Sequence, residues 1–555
     1  MMYDICVIGS GAGAGPIIYE LSKQGHKVCV LEKGDFYKRE DFSKDELAVT
    51  RRSVYNPKLE DEYHTVEEYI NEEWTKFPTY DTGWNFNNGN LVGGSSNFMS
   101  GFFYRLKPDD FKLASKYGKI KDSNIVDWPI TYEDMEKYYD KVEKIIGVSG
   151  EVSDYKYQEP RSSKTFPFKA LDEHPITKLI DKASKELNFS IVKTPRAIIS
   201  EAYKQRSACY YSNYCGSYGC SSGAKGSSRE ALILPALKTN NLTIITNANV
   251  IKLNTNKDKK ITSALYLSKQ GSKKEVKAKL FILAAQAIES SRLLLNSKDA
   301  NFPNGVANNS LNVGKNLLSS SGGIVTGTFD ESVIPLKELM TPGLFVNRAI
   351  KDFYFTKEFK GGMVEMVFEH ANPIRRANFF KWDENDSSKL LIGKELQDKL
   401  FSSFTKTKTL NMEIFADWSS NDNSFVSVDE NYKDKYGIPV ANIRIGTLKH
   451  DLEVSNFLAK KAVKLLKQMG AKNIQSNIDA LPSSNLQAGG CRFGDNPKTS
   501  VLNKYCQAHE VKNLFVTDGS FMPSGGSVPF TFTIYANSFR VASYIKNNFN
   551  KLVDK

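Results

Sequence analysis

The chain has 555 residues, of which 40% are hydrophobic and 25% charged, with 37 Gly and 19 Pro; this is a globular composition and excludes a disordered or collagen-like chain. Lys and Arg number 75 against 63 acidic residues, a net charge of +12, yet no run of about five like charges marks a nucleic-acid arm or a polybasic membrane patch. No apolar run approaches the ~18 residues of a membrane span, so no nucleic acid is expected as a partner, and membrane association is expected only through partner proteins.

The N-terminal Met1-Met2-Tyr3-Asp4 enters an apolar strand without a basic region or a cleavage site, and no secretory signal is expected there. The first strand, Asp4-Ile5-Cys6-Val7-Ile8, runs into Gly9-Ser-Gly11-Ala-Gly13-Ala14-Gly15 and then a helix from Pro16 to Lys23. A second strand, Lys27 to Leu31, ends on Glu32, 23 residues after Gly9. This is the βαβ opening of a dinucleotide site. Gly9 and Gly11 permit the tight turn and the approach of backbone to a pyrophosphate, and Glu32 is placed to accept hydrogen bonds from ribose hydroxyls. Ala14 stands where the fingerprint has its third glycine. A glycine-rich turn that binds nothing is the alternative; the strand, helix and terminal Glu in register favour the dinucleotide, without separating FAD from NAD.

Residues 40–80 are rich in Glu, Lys and Tyr and read as an irregular excursion over the surface. In Asn88-Gly89-Asn90-Leu91-Val92-Gly93-Gly94-Ser95-Ser96-Asn97, paired glycines can bring main-chain N–H groups against a ligand, or form an ordinary tight loop. Thr131 is a candidate cap for a helix whose apolar positions Met135, Tyr138, Tyr139, Val142 and Ile145 follow helical spacing. The middle, 321–480, alternates strand-like stretches such as Gly361 to Phe368 and Thr409 to Phe415 with polar loops, which suggests a mainly antiparallel sheet carrying substrate contacts. A further helix, Leu452 to Met469, stops at Gly470.

Several stretches together resemble the glucose-methanol-choline (GMC) family of flavoprotein oxidoreductases. The Gly9 loop with Glu32 matches its N-terminal signature. Leu91-Val-Gly-Gly-Ser-Ser-Asn97 with Tyr104-Arg105-Leu106 and Pro108-Asp-Asp-Phe111 matches the second. Asp127-Trp128-Pro129, Tyr138-Tyr139 and Gly147-Val-Ser-Gly150 look like the following segment, and Phe281 to Glu289 with Arg292 like the mid-chain strand and helix. Cys491-Arg-Phe-Gly494, Asn513 to Ser520 and Pro523-Ser-Gly-Gly526 read as the closing signature. The resemblance implies an α/β fold: a Rossmann-like FAD-binding domain (1–110, 195–320 and 481–555) interleaved with an α+β substrate domain (111–194 and 321–480) on a mainly antiparallel sheet. It implies that Gly9, Gly11, Ala14 and Glu32 hold the adenosine diphosphate half of FAD. Gly93, Gly94, Ser95 and Asn97 would lie along the ribityl and isoalloxazine side, Val250 would offer backbone to the adenine, and Asp518 and Gly519 would close the site.

Seven cysteines are an odd number. Cys6 and Cys29 fall in apolar strands and read as small buried hydrophobes, in a chain folded in a reducing compartment. Cys209, Cys215 and Cys220 crowd onto a glycine-bent loop and can converge on one inorganic centre. Their pattern is similar to that in the flavin subunits of gluconate, sorbitol and fructose dehydrogenases, which implies a three-iron, four-sulfur (3Fe-4S) cluster relaying electrons to a cytochrome c subunit, alongside a small signal-bearing subunit. A zinc site completed elsewhere and buried free thiols are the alternatives. The compartment stays open between the periplasmic face of the inner membrane, by co-export with that partner, and the cytoplasm.

The chain departs from the family at its chemistry. A family histidine five residues before Cys491 is replaced by Leu486, and the Asn or His before the terminal helix by Pro529. Neither accepts a proton. Asn485 and Gln487 flank Leu486 as the nearest candidates to orient a hydroxyl, and His509 reads as a surface or supporting residue. The expectation is an FAD-dependent dehydrogenase oxidising a CH–OH group of a sugar, polyol or sugar acid; an electron-transfer subunit without alcohol chemistry, or a non-redox flavoenzyme such as an isomerase, are the alternatives.

Overall fold

The computed structural model describes residues 2–48, 62–82, 84, 86, 89–319, 322–383, 386, 388–478 and 486–553. The chain opens with β1 (Met2–Ile8), α1 (Gly15–Lys23) and β2 (Val28–Leu31), followed by the hairpin β3 (Thr65–Ile70) and β4 (Glu73–Pro78). Helices α2 (Tyr132–Val142) and α3 (Ile176–Glu186) and the short β5 (Ile191–Val192) precede β6 (Leu242–Ile245), β7 (Asn249–Thr255), β8 (Ile261–Leu267), β9 (Lys273–Leu283) and α4 (Ala287–Asn296). Then come β10 (Gly323–Phe329), β11 (Arg348–Ile350), β12 (Gly362–Phe368), the helices α5 (Pro373–Phe380) and α6 (Gly393–Thr405), and β13 (Lys408–Ala416). The chain continues through β14 (Phe425–Lys433), β15 (Pro439–Arg444), α7 (Lys449–Gln468), β16 (Lys472–Asn477), β17 (Leu514–Val516) and α8 (Thr531–Val553).

Three sheets organise these elements. The first runs β6-β2-β1-β9-β8-β7, with β17 also on β9. Its centre is parallel, β1 lying between β2 and β9, and Ile5, Cys6 and Val7 are all buried because both faces are covered. Cys6 and Cys29 face each other in that register; burial pushes the Cys29 thiol up to about 12, as a small hydrophobe requires. The second sheet, β16-β10-β13-β12-β11-β5, is antiparallel throughout. Period-two alternation gives it two apolar faces. Met412, Ile414, Val364 and Val325 pack with Leu458 and Leu465 of α7, while Phe415, Met363 and Ala349 join the core of the parallel-sheet domain. The α/β class and the antiparallel second sheet are as the sequence implies.

Three expectations need correction. Residues 40–48 are irregular, but 65–78 are not: β3 and β4 pair as a hairpin, and β3 joins β15 in parallel to complete a third sheet, β14-β15-β3-β4. The acids that suggested a solvated excursion are used across the sheet. Glu67 accepts from Asn442 Nδ2 at 2.6 Å and pairs with Arg444. That third sheet packs Val66, Val426 and Ile443 on Ile288 of α4, so β14 and β15 do not extend the antiparallel sheet assigned to 321–480. Finally, the first part of 111–194 sits with the parallel-sheet core. Helix α2 packs on α8, with Tyr139 Oη 2.9 Å from Thr533 Oγ1, and Trp128 Nε1 donates to Ser524 Oγ at 2.8 Å. Of that segment's regular elements longer than a turn, α3 and β5 lie with the antiparallel sheet. Helical spacing shows that a helix has an apolar face, not which surface covers it.

The capped helix appears as expected, with Thr131 and Asp134 forming a capping box. Helix α7 ends before Gly470, whose φ of +78° favours glycine.

Candidate active site

A cavity of about 750 Å³ lies between the C-terminal ends of the parallel strands and the inward face of the antiparallel sheet, the usual place for a ligand in an open α/β sheet. Each glycine of the opening loop has its own reason. At Gly9, φ +89°, a Cβ would stand 2.4 Å from the Ala284 carbonyl oxygen, so only glycine lets the end of β1 turn against β9. At Gly11 a Cβ would meet nothing within 4 Å; this is the open stretch of backbone that faces the cavity. The tight helix packing expected of the third fingerprint position falls instead on Gly13, where a Cβ would stand 2.5 Å from the Thr517 carbonyl oxygen, and on Gly15, where it would stand 2.4 Å from Ser228 Oγ. Ala14 is buried in the core and does not line the cavity.

At one end of the cavity stand Glu32 and Val250. Glu32 accepts from Ser10 Oγ at 2.5 Å and from Gly34 N at 2.9 Å, while burial pushes its carboxyl up. The same end is walled by residues the sequence reading missed. His64 Nε2 lies 2.9 Å from Glu289, and Arg292 bridges Glu289 to Asp434. Burial works against the Glu289 carboxylate, but His64 and Arg292 outweigh it and hold it well below the usual range.

Gly94 and Ser95 line the middle of the cavity; Gly93 and Asn97 stand behind it. Gly93, at φ +95°, has the Arg229 Cβ 2.8 Å from where its own would be, and Asn97 Nδ2 donates to the carbonyls of Val92 and Gly94 at 3.1 and 2.9 Å. These two shape the loop that Gly94 and Ser95 present.

At the far end, Asp518 and Gly519 line the wall. The Asp518 carboxyl accepts from Gln286 N at 3.1 Å, Ser290 Oγ at 2.5 Å and Ser520 N at 2.9 Å, and burial raises it. Gln286 caps α4 at φ +84° and ψ 153°, a conformation costly for a side-chain residue. From there its Nε2 donates to Gln487 Oε1 at 2.6 Å, fixing Gln487 at the cavity. Asn485 lies outside the described residues. Leu486 and Pro529 both line this end and face the cavity with hydrocarbon. His509 does not line it; its Nε2 sits 3.1 Å from Ser500 Oγ and 3.2 Å from the Gly494 carbonyl.

Two titratable residues from the antiparallel sheet do reach this end: Glu413 on β13 and His370 just after β12. Glu413 pairs in register with Ile324 and Glu365, on the inward face. The sequence carried a signal for it, a lone acid in the apolar run Asn411-Met412-Glu413-Ile414-Phe415. Behind it, Glu365 accepts from Tyr104 Oη at 2.5 Å and Thr194 Oγ1 at 2.8 Å, and burial pushes its pKa up to about 8.

The cysteine loop lies next door. Cys209, Cys215 and Cys220 line one cavity of about 100 Å³, together with Arg196, Lys44 and Lys225. Lys225 Nζ pins the loop by donating to the carbonyls of Cys215 and Tyr218, both at 2.9 Å, and of Asn97 at 3.2 Å. Burial pushes the Cys209 thiol up to about 12. It also works on Cys220, but Lys225 and the Ser222 hydroxyl outweigh it and bring that thiol below its ordinary value. Among the described residues no three His, Cys, Asp or Glu side chains are grouped closely enough to hold a single metal ion. The three thiols therefore line one cavity without forming a metal-binding group. Ser100 and His370 line both cavities. A Cβ at Gly216 would fall 2.0 Å from the His370 ring, so the imidazole lies flat on the loop between Cys215 and Ser217.

Residues 77–320 and 420–538 match the two parts of the GMC oxidoreductase family. The 6'''-hydroxyparomomycin C oxidase of Streptomyces lividus is 27% identical over 553 residues, covering 99% of this chain and 92% of its own. The fructose dehydrogenase large subunit of Gluconobacter japonicus is 25% identical over 567 residues, covering 98% of each. Among solved structures, a variant formate oxidase from Aspergillus oryzae RIB40 superposes with a TM-score of 0.66 at 14% identity, over 99% of both chains. The open glycine turn, the buried Glu32 and a cavity reaching to the antiparallel sheet are thus features of a chain that belongs to the GMC oxidoreductases, FAD-dependent enzymes that act on CH–OH donors.

Proposed function

We propose that the protein is a dehydrogenase that oxidises a CH–OH group of a sugar, polyol or sugar acid and passes the electrons through a cluster at Cys209, Cys215 and Cys220 to a cytochrome-type acceptor rather than to oxygen. The observation that carries this reading is the pair of adjoining cavities sharing Ser100 and His370. Gly9, Gly11, Glu32, Gly94, Ser95, Val250, Asp518 and Gly519 would hold FAD, and bound FAD supplies the hydride acceptor. A cluster in the smaller cavity would supply the one-electron relay, with Lys225 and Arg196 offsetting thiolate charge. The protein's own task is to take the hydroxyl proton as the hydride leaves carbon. Leu486 and Pro529 leave that task to Glu413 and His370 at the same end of the cavity, with Gln487 orienting the hydroxyl. A cytochrome subunit and a small signal-bearing subunit fit the resemblance to the fructose dehydrogenase large subunit.

The second reading, a flavin-bearing electron-transfer subunit without alcohol chemistry, rests on the hydrocarbon at Leu486 and Pro529. Anaerobic visible spectra with a panel of ketoses, aldonic acids, polyols and aminoglycosides separate the two. Bleaching of the flavin bands by one compound supports the dehydrogenase; a flavin spectrum that nothing reduces supports the alternative. Iron and acid-labile sulfide below stoichiometry in anaerobically purified protein would remove the cluster from either reading.

A further inference from the structure

Beyond its root at Glu369, His370 and Ala371, the described part of the excursion between β12 and β13 lines neither cavity, and its surface is unlike the rest of the molecule. Neither α5 nor α6 has a fully buried residue. At their tip stand Phe379, Ile392, Leu390 and Trp382, with 73, 71, 49 and 41% of their surface exposed. Single exposed apolar residues need no account, but a cluster of four does. Trp382 and Leu390 form an antiparallel bridge, which puts their side chains on one side; Ile392, two residues on, repeats that side, while Leu391 between them turns inward and is buried. Phe379 joins them through the turn in which Trp382 N donates to its carbonyl at 3.3 Å.

The tip is carried on a built support. Phe380 packs edge-on against Phe404 at 6.1 Å, and Arg376 lies over Phe404 while donating to the Ser403 carbonyl at 3.3 Å. At the root, Glu46 accepts from the N–H groups of Ile374 and Arg375 at 2.7 and 3.0 Å, and Arg376 pairs with Glu369 at 2.9 Å.

We infer that this tip docks the protein on an anionic lipid bilayer surface. The charge argues for that occupant. Residues 373–408 carry eight Lys and Arg against five Asp and Glu, on a chain of net charge +12. Three of the five acids are paired locally, Asp383 and Glu395 with Lys389 and Asp398 with Lys394, and Asp386 accepts from Ser388. Lys381 lies 5.4 Å from the Trp382 ring, an amphipathic pairing that suits the headgroup layer, with indole and alkyl stem inward and ammonium outward. The shape argues the same way. Four exposed large apolar side chains with Lys381 beside them need no matching pocket in a deformable interface, whereas a protein partner would have to supply one. Among the described residues no helix is long and apolar enough to cross a membrane; the contact is a surface one. The root of the excursion is Glu369 and His370, and its return, Lys408, lines the cysteine cavity, so docking brings the shared wall of the two cavities towards the bilayer.

The test is flotation of the full chain with vesicles of phosphatidylcholine alone and of equal parts phosphatidylcholine and phosphatidylglycerol. The wild type is expected to float with the anionic vesicles, less so as salt is raised, and to stay behind with the neutral ones. Trp382→Ser with Ile392→Ser, checked for unchanged circular dichroism and flavin content, should lower anionic binding about tenfold or more. Lys381→Gln alone should weaken it by a smaller factor. Wild-type protein that ignores both vesicles, or a double variant that floats as well as the wild type, overturns the inference. A wild type that self-associates through this tip without binding vesicles overturns it as well, in favour of a second copy of the chain.

Discussion

The two ends of the large cavity are built by different rules. At the end holding Glu32, the turn and the wall behind it come from one contiguous stretch, residues 4–32, in which turn, helix and strand constrain each other. Val250, His64, Glu289 and Arg292 close it from elsewhere. The far end is assembled from Met99 and Ser100, Gln286, His370, Glu413, Gln487 and Pro529, which belong to six separate parts of the chain. The first end is constrained by backbone and tolerates no side chain at Gly9; the second is constrained by side chains on a sheet face and sets Leu486 and Pro529 beside its polar groups. An enzyme family can keep a cofactor site and rewrite its chemistry because the two are specified by different kinds of residue.

The largest test of that contrast is Gly9→Val. Its Cβ would meet the Ala284 carbonyl oxygen at 2.4 Å, and the expected cost of about 4 kcal/mol should appear as loss of both bound flavin and soluble protein. At the other end, Glu413→Gln or His370→Gln should leave flavin absorbance intact while slowing flavin reduction about 10²–10⁴-fold, read by anaerobic stopped flow; unchanged reduction in both would remove them as the proton acceptor.

Glu365→Gln probes the same sheet face through pH. The carboxyl at about 8 binds its proton more tightly folded than unfolded, so native Glu365 is neutral to stability below its ordinary 4.5. Above that it costs stability by about 1.4 kcal/mol per pH unit, up to about pH 8. Urea midpoints at about pH 5 and about pH 8 should therefore fall less in the variant than in the wild type. The smallest effect is expected from Ala14→Gly, which restores the fingerprint glycine at the cap before α1, off the cavity: about 1 kcal/mol of stability lost with the buried methyl, with flavin affinity unchanged by titration.

The difference between the ends also sets what could be read from the sequence. Residues 4–32, the capped helix at Thr131 and the strand pattern around Thr409 carry their constraints locally, and the structure follows them. His64 could not be placed, because β3 pairs with β15, whose partner residues lie some 375 positions away, and the acids around it read as solvent-facing until Asn442 and Arg444 supply their partners. Helix α2 showed its apolar face but not its neighbour. The cysteines showed that they belong together; that their cavity touches the larger one depends on a strand ending at Phe368, which no spacing on the cysteine loop encodes.

The His370 ring occupies the space that a side chain at position 216 would need. Residues 216 and 370 are therefore bound to change together: a bulkier residue on the loop demands a smaller one after β12, and the reverse. A set of sequences from close relatives should carry that covariation as a record of the wall, legible without any structure, and relatives that have lost the cysteines should be the ones in which it fades.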